Sequence, residues 1–168
     1  MALLKYTIGL MVSSVFVSHS YAESINQNLT IKGNLIIAPP AECILNSGSQ
    51  QTVNFGDVLL PRLDGVNYKQ VVPLRLSCTN LPSNTLKMSI IGDPTTFNSN
   101  GGLKTSNNKL GIVFYVNNEK KTINTPISFS YTNVPKLEAA PLRNVGTTYS
   151  STDGGKFSAT ATLKVDYQ

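Results

Sequence analysis

Lys156-Phe157-Ser158-Ala159-Thr160-Ala161-Thr162-Leu163-Lys164-Val165-Asp166-Tyr167 is the stretch on which the fold turns. Phe157, Ala159, Ala161, Leu163, Val165 and Tyr167 alternate with Ser158, Thr160, Thr162, Lys164 and Asp166. Successive side chains of a β-strand point to opposite faces, so this alternation lays an apolar face and a polar face along one strand. A helix would space its apolar residues three or four apart, and no such stripe persists for three turns in this chain.

Working outward, the same signal recurs. Alternating or β-rich runs fall at 29–37, 51–58, 70–78, 86–91, 109–116 and 127–132. Turn-rich stretches separate them: Asn46-Ser47-Gly48-Ser49, 61–65, 80–84, Gly92-Asp93-Pro94, 98–102 and Asp153-Gly154-Gly155. Short strands punctuated this regularly predict an all-β sandwich of immunoglobulin-like topology. The stretch between Pro135 and Pro141 suits an edge or irregular strand, because proline has no N–H for a ladder.

The first run, Leu29-Thr30-Ile31-Lys32-Gly33-Asn34-Leu35-Ile36-Ile37, has Leu29, Ile31, Gly33, Leu35 and Ile37 on one face. Pro39-Pro40 then cuts it from the rest of the chain, as suits a detachable arm. Periodicity alone leaves open whether its partner sheet belongs to this molecule or to another.

Before that arm, Lys5 precedes an apolar run from Tyr6 to Val17 and small residues at Ser20 and Ala22. This predicts a secretory signal peptide at 1–22, cut after Ala22. The run is shorter than the roughly 20 apolar residues a bilayer span needs. Cleavage then leaves 146 residues, 23–168, of which 23–38 are an N-terminal extension and 39–168 one domain.

Composition excludes several classes. The only histidine, His19, leaves with the leader, and there is no tryptophan. Ser-His and Cys-His nucleophile pairs and imidazole zinc sites are therefore ruled out of the mature chain. No carboxylates pair closely in sequence and no glycine-rich phosphate loop follows a strand, so no catalytic residue, cofactor or small-molecule substrate is expected. Asp57, Asp64 and Asp93 read as turn caps. Without Lys5 the chain has 13 basic and 9 acidic residues, net +4. The basic residues are dispersed, which argues against a nucleic-acid partner. Cys43 and Cys78, 35 residues apart, read as one structural disulfide of an exported protein rather than a metal site.

Taken together these residues resemble the chaperone–usher pilins, in particular the minor tip or adaptor subunits of P-type and type 1-like fimbriae. The resemblance spans the mature chain. Ile31-Lys32-Gly33-Asn34-Leu35, the nearby Pro39-Pro40 and Cys43, and Cys78 at a strand end carry it, with Gly155 fourteenth from the C-terminus and Tyr167 penultimate. Pro39-Pro40-Ala41-Glu42-Cys43 departs from it, since the family often places proline directly before the first cysteine.

The resemblance implies an incomplete immunoglobulin-like sandwich lacking its last strand. It implies a periplasmic chaperone, an outer-membrane usher and neighbouring subunits as partners, and a place in a surface fimbria. Leu29, Ile31, Gly33, Leu35 and Ile37 would be donor residues for the preceding subunit's groove. Gly155, Phe157, Ala159, Ala161, Leu163, Val165 and Tyr167 would form a wall of this chain's own groove, with the Gln168 carboxylate anchoring the chaperone. The alternative is a self-contained secreted immunoglobulin-like binding domain.

Overall fold

A computed structural model describes residues 30–37, 39–97 and 101–167. The expected signal peptide, Leu29 and Gln168 lie outside them. The chain divides into two units, Met1–Ile36 and Ile37–Gln168. In the first, residues 30–36 carry no helix, turn or ladder, and Ile31, Leu35 and Ile36 are 84–91% exposed.

The second unit is all-β. Its strands are β1 (Glu42–Leu45), β2 (Gln70–Val71), β3 (Leu76–Thr79), β4 (Thr85–Ile91) and β5 (Leu103–Lys104). They continue as β6 (Leu110–Val116), β7 (Glu119–Lys121), β8 (Ile127–Ser130), β9 (Leu137–Arg143) and β10 (Thr162–Tyr167). One sheet has the order β2-β9-β6-β5, with β7 also on β6; a second is β10-β4-β8; β1 and β3 form a separate pair. All pairings are antiparallel.

Period-two patterning explains the layers. Met88 and Ile90 of β4 face Ile112, Phe114 and Val116 of β6 and Leu137 and Ala139 of β9 across one core. The intervening Val113 and Tyr115 turn to the opposite face, where they meet Ala140 and Leu142. That outer face is covered too, which is why every residue of β6 is buried. The Tyr115 hydroxyl donates to the Gly65 carbonyl at 2.6 Å, and the Lys69 ammonium stands 3.9 Å over the Tyr115 ring. Gly65 fits there because its φ is +82° and a Cβ would come within 3.2 Å of Val113.

Several sequence-based expectations need correction. Residues 51–58 form no ladder, although Val53 and Phe55 are half-buried with the expected alternation, which breaks at exposed Asp57 and half-buried Val58. The run 70–78 is two strands: β2 pairs with β9 and β3 with β1, with Pro73 in the break. The stretch around Pro141 is no edge, because β9 lies inside its sheet between β2 and β6. Pro141 is tolerated because its carbonyl accepts from the Gly65 N–H, at 3.1 Å, on the side away from β6. In antiparallel pairing a residue's N and C=O point the same way, so the missing donor falls on that side and costs the β6–β9 ladder nothing. Finally, the C-terminal strand begins at Thr162, not at Lys156.

That last shortening has a local cause. Thr162 pairs with Ile91, the final residue of β4. Beyond it, the next backbone carbonyl on that side, that of Asp93, accepts instead from the Lys104 N–H of β5 at 2.7 Å. With Asp93 turned to β5, residues 156–161 have no ladder to join. On the opposite, β8 side of β4 the Asn124 amide closes Gly92, whose N–H donates to Asn124 Oδ1 at 3.0 Å and whose carbonyl accepts from Asn124 Nδ2 at 2.9 Å.

Candidate functional site

The three-stranded sheet ends on β10. Its inner neighbour is β4, and among the described residues no strand pairs with its other side. Leu163 and Val165 of β10, with Phe157 upstream, pack against the core yet remain only half-buried. The Phe157 ring stacks on Phe55, with centroids 6.4 Å apart and planes 19° from parallel. A cleft of about 280 Å³ opens between the C-terminal segment (Ala159, Thr160, Ala161, Leu163) and Leu45, Asn46, Gln51 and Pro73. Ala159 and Ala161 are exposed at its mouth. The arrangement is a partly uncovered core beside an unpaired strand side, so a further strand could both extend the sheet and bury apolar surface.

The expected wall residues therefore come together, in two kinds. Leu163, Val165 and Phe157 contact the core, whereas Tyr167 is 49% exposed at the far end. Gly155 has φ +119°, and a Cβ added there would meet no atom within 4 Å, so conformation rather than space calls for glycine. Of the expected donor residues, Ile31, Gly33 and Leu35 belong to the first unit, and Ile37, 87% exposed, opens the second.

The pair Cys43–Cys78 is a disulfide, and the two residues stand directly opposite in the β1–β3 register. The Tyr131 hydroxyl accepts from the Cys78 N–H at 3.2 Å, and the Tyr131 N–H donates to the Asn84 carbonyl at 2.8 Å, tying the pair to the end of β8.

Two aspartates are held below the ordinary carboxylate range. For Asp153 the main cause is the Lys109 ammonium, 2.8 Å from Oδ1, followed by the Ser150 N–H, which donates to Oδ2 at 2.7 Å. This completes a capping box at the 3-10 turn Ser151–Asp153. For Asp64 the main cause is the Asn67 N–H and then the Val66 N–H, both donating to Oδ1 at 2.8 Å. Asp64 is thus the turn cap its sequence setting suggested. Sequence reasoning passed over Asp153, though Ser150 three residues before it was a readable capping signal. Asn124 carried no such signal, because its partner Gly92 is 32 residues away.

A larger cleft of about 390 Å³ lies by Lys120, Lys121, Thr125 and Ser128, at the β7 and β8 ends. It is open and mixed in polarity, and Lys121 is already bound to Glu119 at 2.7 Å. Size alone does not make it the better site: β8 is an edge strand there too, but charged and polar side chains such as Lys120, Lys121, Thr125 and Ser128 make up most of the lining.

An all-β sandwich with this open side falls in the class of immunoglobulin-like pilin domains. Its fold is similar to that of the P pilus adaptor subunit PapF, at TM-score 0.52 and 22% identity over 79% of this chain and 98% of that one. The P pilus rod subunit PapA matches at TM-score 0.57 and 19% identity, over 75% of this chain and 99% of that one. The sequence model of the family described as Fimbrial protein matches residues 29–168. The uncharacterized fimbrial-like proteins YfcR and YfcQ of Escherichia coli (strain K12) are 32% and 31% identical, over 95% and 90% of this chain and 92% and 94% of their own lengths. The chain belongs to the fimbrial protein family and is a pilus subunit.

Proposed function

We propose that this subunit polymerises by donor-strand exchange. Its groove beside β10 receives a strand from a periplasmic chaperone and later from another subunit. Its own arm, Leu29, Ile31, Gly33, Leu35 and Ile37 within residues 23–38, enters the groove of the preceding subunit. The outer-membrane usher then delivers the assembled fibre to the cell surface. The observation that carries this reading is the unpaired side of β10 beside half-buried Phe157, Leu163 and Val165.

The energetics have the right scale. Burying one Leu or Ile side chain stabilises by roughly 1.5–3 kcal/mol, so the four large donor residues offer a gross of about 6–12 kcal/mol before ordering entropy. A whole domain is stable by only about 5–15 kcal/mol, so one foreign strand can decide whether the domain stands. Within the fibre we assign the chain a minor adaptor position. The resemblance to minor tip and adaptor pilins supports that assignment, and the likeness to PapF, described as an adaptor, agrees with it.

Expression in a bacterial periplasm with and without the cognate fimbrial chaperone tests the mechanism. Soluble subunit is expected only as a one-to-one complex. A monomeric, cooperatively melting chain without chaperone would mean a self-complete sandwich, and the secreted binding-domain reading would replace this one.

A further inference from the structure

The segment from Phe157 to Ala161 forms half of the groove wall, yet it has no ladder to hold it. Its anchors come instead from one turn, the residues between β5 and β6. The Ser106 N–H donates to the Ser158 carbonyl at 2.8 Å, and the Ser158 N–H donates back to Ser106 Oγ at 3.0 Å. Asn107 Nδ2 donates to the Asp153 carbonyl at 3.1 Å. The Lys109 ammonium reaches both Asp153 carboxylate oxygens, at 2.8 and 2.9 Å, and the Thr148 carbonyl at 3.0 Å.

The turn that supplies these anchors is itself rigid. The Thr105 hydroxyl, buried, donates to the Asn107 carbonyl at 2.7 Å and accepts from the Asn107 N–H at 3.1 Å. The Lys109 N–H donates to Asn107 Oδ1 at 3.0 Å. Between the Asp153 anchor and the Ser158 anchor lie Gly154 and Gly155, a pair with the backbone freedom to swing if either end is released.

We infer that Ser106 and Asp153 are positioning residues for strand acceptance: through them the turn before β6 clips the ladder-free half of the groove wall in the place where an incoming strand must pair. This rests on the donor-strand reading above. Neither residue faces the groove as a contact. Each acts by keeping Phe157–Ala161 in the one arrangement that can pair, and any loss of that arrangement weakens the hold on the incoming strand in proportion. A wall in place only about a tenth of the time would weaken that hold about tenfold.

The test uses the full-length subunit bound to its cognate chaperone. Fluorescently labelled free chaperone is added, and its replacement of bound chaperone is timed. Asp153→Ala and, separately, Ser106→Ala are expected to speed replacement, Asp153→Ala by about tenfold and Ser106→Ala by less. Lys121→Ala, which breaks the Lys121–Glu119 pair at 2.7 Å on β7, outside the groove wall, is expected to leave the rate unchanged. Hydrogen exchange should rise at amides 157–161 while those of β4 and β6 keep their protection. If Asp153→Ala yields no complex, Ser106→Ala decides. Wild-type replacement rates, or protection lost equally across β4 and β6, would overturn the inference. Failure of the wild-type chain to form any chaperone complex would instead sink the donor-strand reading itself.

Discussion

At the residue scale, two carboxylates give the fold an acid limb. Asp153 is held down chiefly by Lys109 and Asp64 chiefly by the Asn67 N–H, so each ionises more readily in the folded chain than in the unfolded one. A depressed folded pKa contributes stability above the unfolded value, about 3.9 for Asp, and that contribution is lost as pH falls through the folded value. The urea midpoint of the chaperone-bound subunit should therefore stay level on titration from neutral pH down to about 5, then fall below about 4. Asp153→Asn should start lower and show a shallower acid limb. An identical limb in that variant would mean that the Lys109–Asp153 contact is not formed in solution. Asn124 shows how a single polar side chain can stand in for a strand, since its amide closes both backbone groups of Gly92 on the β8 side, where β4 stops.

At the element scale, the arm and the groove wall obey one rule of alternation but sit in different surroundings. Ile31 and Leu35 are exposed in the described chain, and a strand with one apolar face is stable only against a sheet. Gly33 lies on that apolar face, and glycine within a strand often marks close approach of another backbone. Gly33→Leu is expected to leave this subunit's own folding and its chaperone complex intact, while slowing its incorporation behind a preceding subunit. Assembly timed with purified chaperone complexes checks this, and a wild-type rate would remove the close approach opposite Gly33. The wall shows the opposite imbalance. β10 is laddered to β4 along six residues, whereas Phe157–Ala161 depends on the two Ser106–Ser158 hydrogen bonds and the Phe55 ring.

At the scale of the whole molecule, the disulfide Cys43–Cys78 joins β1 to β3, the pair that stands outside the two larger sheets. Closing a loop of 35 residues restricts the unfolded chain, which on the chain-entropy argument stabilises by roughly 3–4 kcal/mol. Replacing both cysteines by serine should lower the unfolding free energy of the chaperone-bound subunit by about that amount, read from denaturant midpoints, and an unchanged midpoint would show that β1 and β3 are held by packing alone. The chemistry of side-chain alternation was local, and so the sequence by itself determined the all-β class, the apolar faces of 29–37 and 157–167, the cysteine pairing and the Asp64 turn. What only the tertiary structure decided depended on partners far along the chain. Pro141 could sit inside a sheet because its missing N–H faces Gly65, 76 positions earlier in the chain. Val53 and Phe55 kept their alternation but found no ladder, and 156–161 has none because Asp93, next in line along β4, turns to Lys104 of β5. Periodicity reports which face of a strand is buried; hydrogen-bonding partners are set by which backbones the fold brings alongside, and no local pattern encodes that.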